Sequence, residues 1–254
     1  MTNIYKFNGM ANNYSKYRPN YAKESIDYLI DESKLTEKSV IADIGSGTGK
    51  FSKLLLDEGF KVFGVEPNDD MRKKGEHELK TYRNFMSVIG TSECTTLPNT
   101  SIDLITVAQA FHWFDVKSFL VECNRILKEN GYVAILYNNG DYSTEVINVL
   151  SELSKIYCPK YVGSSGGIEK NPEIFDNFYD EYVVKVFKND YQLNLEQFIG
   201  LNFSASYAPK VDDPNYDLYL KSLVDLFEKY NENGILNMPN NTTCRLGKVK
   251  KKVF

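Results

Sequence analysis

The segment of this sequence that indicates a ligand-binding site most clearly has glycines at alternate positions. The segment DIGSGTG occupies residues 43–49, and an apolar run, VIADI, leads into it at residues 40–44. Glycine lets a backbone turn tightly and approach a ligand that a Cβ atom would keep away. At the carboxyl end of a parallel strand such a turn lies where ligands bind. A helix that begins near Gly49 would also direct its free amide groups at the ligand.

The spacing of these glycines argues against two common nucleotide-binding motifs. The dinucleotide pattern GxGxxG wants a glycine where this sequence has Lys50, because the third glycine comes one residue early. A P-loop needs a four-residue spacer and a Ser or Thr after its lysine, and the segment has neither. A nicotinamide-dependent oxidoreductase is therefore a disfavoured alternative.

An acidic residue, Glu66, closes the next apolar run about twenty residues after the glycines. At this spacing a carboxylate accepts hydrogen bonds from both hydroxyls of a ribose, which excludes a ribose with a 2′-phosphate. The alternative is a structural role, in which Glu66 caps a helix that starts near Asn68.

Four segments in order resemble the class I S-adenosylmethionine-dependent methyltransferases. They are VIADIGSGTG at residues 40–49, VEPNDDM at 65–71, GTSECTTLP at 90–98 and AQAFHWFD at 108–115. The sequence is most similar to the small-molecule branch with a type 11 methyltransferase domain, which includes trans-aconitate and ubiquinone/menaquinone-type methyltransferases. The similarity covers residues 14–138, and a weaker one follows at residues 198–209.

The resemblance implies that S-adenosyl-L-methionine is the cofactor and assigns side chains to each of its parts. The residues expected at its methionine end are Asp43, Gly45, Gly47 and, from a segment similar to the family's N-terminal cap, Tyr14, Tyr17 and Arg18. Arg18 is expected to pair with the methionine carboxylate. The residues expected at the ribose and adenine are Glu66, Pro67, Met71, Ser92 and Glu93, and Gln109 is expected to face the same cleft. Thr91 departs from the family, which often has an acidic residue there.

The acceptor side is predicted around Phe111, His112 and Trp113, which follow the fourth predicted strand. His112 is a candidate general base, although an acceptor contact or a structural hydrogen bond are alternatives. Aromatic faces favour a sulfonium cation, and the candidates for such a wall are Tyr5, Phe7, Tyr14, Tyr17, Phe111 and Trp113. Ordinary core packing is the competing interpretation for each of them. Methyl transfer by in-line displacement needs no metal.

The pattern of apolar runs predicts the elements that hold these residues. Five strands, at residues 40–44, 61–66, 84–89, 102–108 and 132–137, alternate with helical patterns. This alternation is typical of an α/β fold with a parallel sheet. A helix before the fifth strand is predicted to begin at an Asp115 cap, to bury Cys123 and to end at Asn130-Gly131.

The remainder of the chain is predicted to complete the sheet. A strand is expected at residues 181–187, helices near 195–206 and 216–231, and a last strand in the segment TTCRLGKVKKKVF. With the resemblance, this predicts a Rossmann-like, doubly wound, mostly parallel seven-stranded sheet whose last strand is antiparallel. One domain is expected, with an N-terminal cap at residues 1–35, a cofactor-binding core at 36–139, an insert or lid at 140–180 and completing strands and helices at 181–254. Residues 1–20 and 163–167 are expected to close over the cofactor.

Composition limits the classes of partner. With 30 basic and 34 acidic residues the net charge is −4, which disfavours nucleic acid and anionic lipid. The four cysteines lack metal-ligand spacing, and the chain has neither a signal sequence nor a long apolar span, so a cytoplasmic protein is expected. A small-molecule methyl acceptor is the expected partner, and the alternative function is a cofactor-binding scaffold or sensor without transfer activity. The acceptor's identity and the oligomeric state do not follow from the sequence.

Overall fold

The computed structural model describes residue 9 and residues 11–251, apart from the side chains of residues 169 and 170. The helices are α1 (Ala11–Tyr17), α2 (Lys23–Glu32), α3 (Lys50–Asp57), α4 (Asp69–Glu78), α5 (Val116–Ile126), α6 (Glu145–Tyr157), α7 (Glu173–Phe178), α8 (Leu195–Phe203) and α9 (Tyr216–Tyr230). The strands are β1 (Val40–Ile44), β2 (Lys61–Val65), β3 (Phe85–Val88), β4 (Ile102–Ala108), β5 (Leu127–Gly140), β6 (Tyr179–Lys188), β7 (Tyr191–Leu193), β8 (Leu236–Met238) and β9 (Asn240–Val249). Short 3₁₀ turns lie at Phe111–Trp113 and Ser164–Lys170. Within this described part of the chain, every helix is too short or too polar to cross a membrane.

Seven strands form one sheet in the order β3-β2-β1-β4-β5-β9-β6. Strands β1 to β5 pair in parallel, while β9 pairs antiparallel with both β5 and β6. The predicted seven-stranded, doubly wound sheet with an antiparallel last strand is confirmed. Because the order reverses direction between β1 and β4, the carboxyl ends of these two strands border the crevice where ligands bind in such sheets.

The helix before β5 shows where local sequence signals succeeded and failed. Asp115 caps α5 as predicted, since its carboxylate accepts a hydrogen bond from the Ser118 amide at 2.8 Å, and Cys123 is fully buried. The predicted stop at Asn130-Gly131 is wrong, because α5 ends at Ile126 and β5 begins at the next residue. Gly131 lies inside β5, where a Cβ atom would approach the Leu127 side chain to 2.7 Å. Close packing within the strand, and not a helix end, accounts for this glycine.

Three groups of buried apolar side chains hold the molecule together. Two of them cover the opposite faces of the sheet and include Phe111, Phe119 and Phe178 on one face and Leu29, Leu55 and Leu136 on the other. The third joins α6, α8 and α9 with the small sheet of β7 and β8. We call these elements, with the loops that follow α6 and α8, the cap. The cap contains much of the segment that the sequence assigned to completing the sheet.

Candidate active site

The glycine segment forms a tight turn between β1 and α3. The amides of Gly45 and Ser46 donate to the Val65 carbonyl at 2.8 and 3.2 Å, which ties the turn to β2. Gly45 has a φ of +72°, and a Cβ atom there would lie 2.7 Å from the Ala110 Cβ. Gly47 has a φ of +56°, but a Cβ atom there would meet no atom within 4 Å. Gly45 is therefore required by packing, whereas Gly47 faces open space.

Asp43, at the end of β1, is a buried carboxylate beside this turn. Its two oxygens accept hydrogen bonds from the Ser52 hydroxyl at 2.6 Å and the Thr106 hydroxyl at 3.0 Å. Burial raises the pKa of the Asp43 carboxyl to about 6, although the bonds from Ser52 and Thr106 oppose the shift. A cation bound beside Asp43 would favour its ionised form and lower this pKa.

We expect Asp43 to make the stability of the free protein depend on pH. Because folding raises the pKa of Asp43 from 3.8 to about 6, ionisation of this carboxyl lowers the free energy of unfolding. This loss of stability is absent below the unfolded-state pKa of 3.8, grows as the pH rises toward the folded-state pKa of about 6, and is complete above it. An Asp43→Asn variant should lose this dependence, so its stability relative to wild type should rise by on the order of 2 kcal/mol over that window. Urea unfolding from pH 4 to pH 7 measures the difference, and a constant difference would show that Asp43 titrates normally.

Glu66 follows β2 and holds the glycine turn in place. One of its oxygens accepts from the Gly47 amide and the other from the Asn68 amide, each at 2.8 Å. Burial raises the pKa of Glu66, against these two hydrogen bonds. The helix-cap alternative for Glu66 holds in part, because its carboxylate accepts a hydrogen bond from the amide of the N-cap residue Asn68, while the Asn68 side chain caps α4 itself by accepting from the Met71 amide at 3.0 Å.

The residues predicted at the adenine lie at the same edge of the sheet, beyond the ends of β2 and β3. Met71 is buried on α4, and Pro67 is half-buried between Glu66 and the α4 cap. The Ser92 hydroxyl donates to the Glu93 carboxylate at 2.8 Å, and that carboxylate also accepts from the Asp115 amide at 3.2 Å. The structure therefore brings these residues to one end of the glycine turn, outside the large cavity described next.

A cavity of about 540 Å³ lies between the glycine turn and the cap. It is lined from the sheet side by the turn itself and the ends of β4 and β5, and from the other side by α6, α8 and the loops that follow them. The predicted site residues that line it are Tyr14, Arg18, Asp43, Gly45, Gly47, Gln109, His112 and Trp113. Residues far apart in the sequence thus share one cavity with the turn.

Arg18 enters this cavity without a carboxylate partner. Its guanidinium lies over the Tyr14 ring, 5.3 Å from the centroid, and its Nε atom is buried with no hydrogen bond to any described residue. Burial raises the pKa of the nearby Tyr191 hydroxyl to about 12, and the positive charge of Arg18 opposes that shift. The Thr48 hydroxyl, which also lines the cavity, is likewise buried without a described partner. Both groups are available to a polar ligand.

Two predicted site residues lie elsewhere. Phe111 is fully buried in the core, where its ring stacks on Phe175 at 5.7 Å and contacts Phe178 at 5.1 Å, so its assignment to the acceptor pocket is wrong. Tyr17 turns away from the cavity, because its ring packs against Gly200 and its hydroxyl donates to Glu196 at 3.1 Å. Tyr5 and Phe7, proposed for the same aromatic wall, lie outside the described residues.

Gln109 connects the end of β4 to the loop that follows α6. Its backbone has a φ of +57°, an uncommon conformation for a residue with a side chain. Its side-chain amide donates to the Asn138 carbonyl at 2.9 Å, and its side-chain oxygen lies 3.1 Å from the Ser165 hydroxyl. Ser165 also lies 2.7 Å from the Asn139 side-chain oxygen. The strained residue is therefore fixed between two strands and the loop above them.

His112 lies on the cavity wall between Tyr137 and the same loop. The His112 amide donates to the Tyr137 hydroxyl at 3.0 Å, and the His112 Nδ1 atom lies 3.3 Å from that hydroxyl. Gly166 packs so closely on the imidazole that a Cβ atom there would come within 2.6 Å of it. Residues 163–167 thus contact the cavity wall, while closure of this loop and of residues 1–20 stays a prediction; residues 1–8 and 10 lie outside the described part.

Several lining residues escaped the sequence analysis because no motif marks them. They come from the cap and from the loop before α6, and they include Tyr142, Lys160, Tyr161, Tyr207, Lys210 and Met238. The rings of Tyr161 and Tyr207 meet edge to face at 4.9 Å, which brings the loops after α6 and α8 together. The signals in the sequence were coarse: the predicted insert or lid at residues 140–180, which includes Tyr161, and the weak similarity at residues 198–209, which includes Tyr207.

Comparison with known proteins places this geometry in context. A family described as "Methyltransferase domain" matches residues 42–135. A Dictyostelium discoideum protein named as a candidate methyltransferase is 39% identical over 131 residues, which are 51% of this chain and 48% of that protein. An uncharacterized methyltransferase of Schizosaccharomyces pombe is 29% identical over 195 residues, covering 76% of this chain and 75% of that protein. A solved structure of a candidate type II methyltransferase from Anaeromyxobacter dehalogenans shares the fold, with a TM-score of 0.68, 18% identity and coverage of 91% of this chain and 98% of that one.

The candidate site is formed partly by the region that the family matches and partly by the cap. The chain spans about half the length of the Dictyostelium relative that it matches. The family match begins in β1 and ends in β5, so it contains the glycine turn, Glu66 and His112. Arg18 and all of the cap lie outside it. The part of the site that lies inside the family match is therefore the glycine turn and its neighbours.

Proposed function

We propose that this chain, whose residues 42–135 match the family described as a methyltransferase domain, transfers a methyl group from S-adenosyl-L-methionine to a small-molecule acceptor. The observation that carries the proposal is the continuity of the site. The glycine turn, which Glu66 holds in place, opens with Asp43 into the same cavity that Arg18, His112 and the cap line. A concave cavity between the sheet and the cap suits a small acceptor better than a nucleic acid, in agreement with the net charge of −4.

The residues present fit the cofactor. Gly47 has open space where a Cβ atom would be, and the buried Thr48 hydroxyl and Arg18 Nε atom have no described partner. In the proposed arrangement Arg18 holds the methionine carboxylate, and Glu66 uses its remaining lone pairs for the ribose hydroxyls. Met71, Pro67, Ser92 and Glu93 would surround the adenine, and Asp43 would face the cationic end of the methionine.

When bound, S-adenosyl-L-methionine supplies a methyl carbon on a positively charged sulfur; the acceptor's lone pair bonds to that carbon, and the electron pair of the broken C–S bond remains on sulfur. The chain's own residues position the acceptor and exclude water. Trp113 and Tyr14 line the cavity, and aromatic rings there would favour a cation. His112 lies where it can take the proton of a hydroxyl or amine acceptor, and Tyr137 orients its ring.

A cofactor-binding scaffold or sensor is the alternative function. Binding alone would not need space beyond the glycine turn, whereas this cavity continues into the cap between α6 and α8. That continuation favours transfer to a second molecule. Release of S-adenosylhomocysteine in the presence of candidate acceptors separates the two functions, because a binding module would release none.

We expect S-adenosyl-L-methionine and S-adenosylhomocysteine to stabilise the protein against heat. At a ligand concentration a hundred-fold above Kd, linkage adds about 2.7 kcal/mol to the free energy of unfolding. For a chain of this length the expected rise in Tm is roughly 5 to 10 °C. Differential scanning fluorimetry measures it, with NAD as the control ligand that should cause no shift. If millimolar concentrations of both adenosyl ligands leave Tm unchanged, the proposed function is wrong.

A further inference from the structure

Among the charged side chains that line the cavity, positive ones outnumber negative ones, although the chain as a whole is acidic. Arg18, Lys50, Lys160 and Lys210 line it, and Asp43 is the only carboxylate among the described lining residues. None of these four cations forms an ion pair with any residue between 11 and 251. A cavity with walls of low dielectric constant concentrates the electrostatic field of these positive side chains on a ligand that enters it.

The cofactor does not balance this charge. S-adenosyl-L-methionine carries a sulfonium, an ammonium and one carboxylate, so it adds a net positive charge. In the proposed function Arg18 pairs with that carboxylate and Asp43 faces a cation, which leaves the three lysines unmatched, Lys160 and Lys210 on the cap among them. Because both cap lysines are exposed, water screens their charge, and a second ligand that brings negative charge would gain attraction by pairing with them.

Lys160 and Lys210 belong to the same region of the cavity mouth. Lys160 immediately precedes Tyr161, and Lys210 follows Tyr207 in the loop after α8. The edge-to-face contact of the two tyrosine rings joins these loops, and both lysine side chains are exposed to solvent. An anionic group at this mouth would therefore enter a field to which both ammonium groups contribute.

The cap offers an apolar and aromatic surface inside this mouth. Ile147 and Leu150 of α6, Leu201 of α8 and Met238 of β8 line the cavity. The Tyr161 and Tyr207 rings line the same cavity. Such a surface stabilises the body of an organic ligand by roughly 25 cal/mol for each Å² of apolar area removed from water.

We propose that the methyl acceptor is a small amphipathic organic anion, whose acidic group binds Lys160 and Lys210 at the cavity mouth and whose apolar or aromatic body lies against the cap. The acidic group anchors the acceptor at the mouth, and the opposite end of the body points toward the glycine turn and His112. This inference rests on the proposed function, because it assigns the acceptor half of the same cavity.

Two fluorescent probes with one aromatic skeleton test the charge preference. The probes are 1-anilinonaphthalene-8-sulfonate, an anion, and N-phenyl-1-naphthylamine, which lacks the sulfonate and is neutral. In titrations of the full chain saturated with S-adenosylhomocysteine, we expect the anion to bind at least ten-fold more tightly. The Lys160→Met/Lys210→Met variant keeps the apolar stems and should lose at least ten-fold in affinity for the anion, with the neutral probe unchanged within about two-fold.

A control variant removes the same charge from elsewhere on the surface. Lys117 on α5 and Lys221 on α9 are exposed and lie outside the cavity, so Lys117→Met/Lys221→Met should leave both affinities unchanged. Equal affinity for the two probes, no binding of the anion, or equal losses in both lysine variants would overturn the inference. S-adenosylhomocysteine binding, measured by calorimetry on the same proteins, separates the two levels: its absence defeats the proposed function, whereas its presence without charge preference defeats only the inference about the acceptor.

Discussion

Replacing Gly47 by alanine is expected to abolish cofactor binding while the protein stays folded. A Cβ atom at this position meets nothing within 4 Å, so the fold bears only the cost of φ = +56°, roughly 1 to 2 kcal/mol. The same Cβ atom would occupy the space that the turn leaves for a ligand. The Gly47 amide, which donates to Glu66, is retained in the variant. Calorimetric titration should show a loss of affinity for S-adenosylhomocysteine of roughly a hundred-fold or more.

Gly59 provides a matched control for this substitution. It also has a positive φ, +88°, and a Cβ atom there would meet no atom within 4 Å, but it lies in the exposed turn after α3, outside the cavity. Gly59→Ala should therefore lose similar stability and keep the affinity of the wild type. If Gly47→Ala binds the ligand as tightly as Gly59→Ala does, the glycine turn is not the cofactor site.

Removing the Glu66 carboxylate should weaken both the fold and the cofactor complex. In Glu66→Ala the amides of Gly47 and Asn68 lose their acceptor, which costs about 1 to 3 kcal/mol for a buried donor. Charge-assisted bonds to a ribose diol contribute about 1.5 to 3 kcal/mol each, so affinity for S-adenosylhomocysteine should fall at least ten-fold. Urea unfolding and calorimetric titration measure the two effects separately.

The Glu66→Gln variant separates the two roles of this side chain. Glutamine keeps the size of the side chain and one acceptor oxygen, so it should recover part of the lost stability. It removes the negative charge, so the affinity for the cofactor should remain low. A folded Glu66→Ala protein that binds S-adenosylhomocysteine as tightly as wild type would leave Glu66 with the structural role alone, which is to fix the glycine turn.

The sequence was most informative where a signal depends only on the local backbone. The strands at residues 40–44 and 102–108 are observed with the predicted bounds, because strands covered on both faces require continuous apolar residues. The glycine turn was predictable for a similar reason, since positive φ angles and a close approach to Ala110 select glycine directly. Glu66 was found by its distance along the chain, which a βαβ unit fixes.

Tertiary structure decided the rest, because side-chain direction and strand pairing depend on distant neighbours. Phe111, His112 and Trp113 are consecutive aromatic residues on one 3₁₀ turn, yet Phe111 packs into the core while the other two line the cavity. Asn130-Gly131 has the composition of a helix end, but pairing of β5 with β4 and β9 extends the strand through it.

The acceptor half of the cavity is the clearest case of what only the folded chain determines. Lys160 and Lys210 do not belong to any sequence motif, and the residues around each of them predict only a solvent-exposed lysine. Packing of the cap onto α1 and the sheet edge places them at one mouth, where the contact between Tyr161 and Tyr207 joins their loops. The sequence by itself thus determined the glycine turn, because the geometry of that turn is local. The positive charge proposed for the acceptor site arises only when segments far apart in the chain line one cavity.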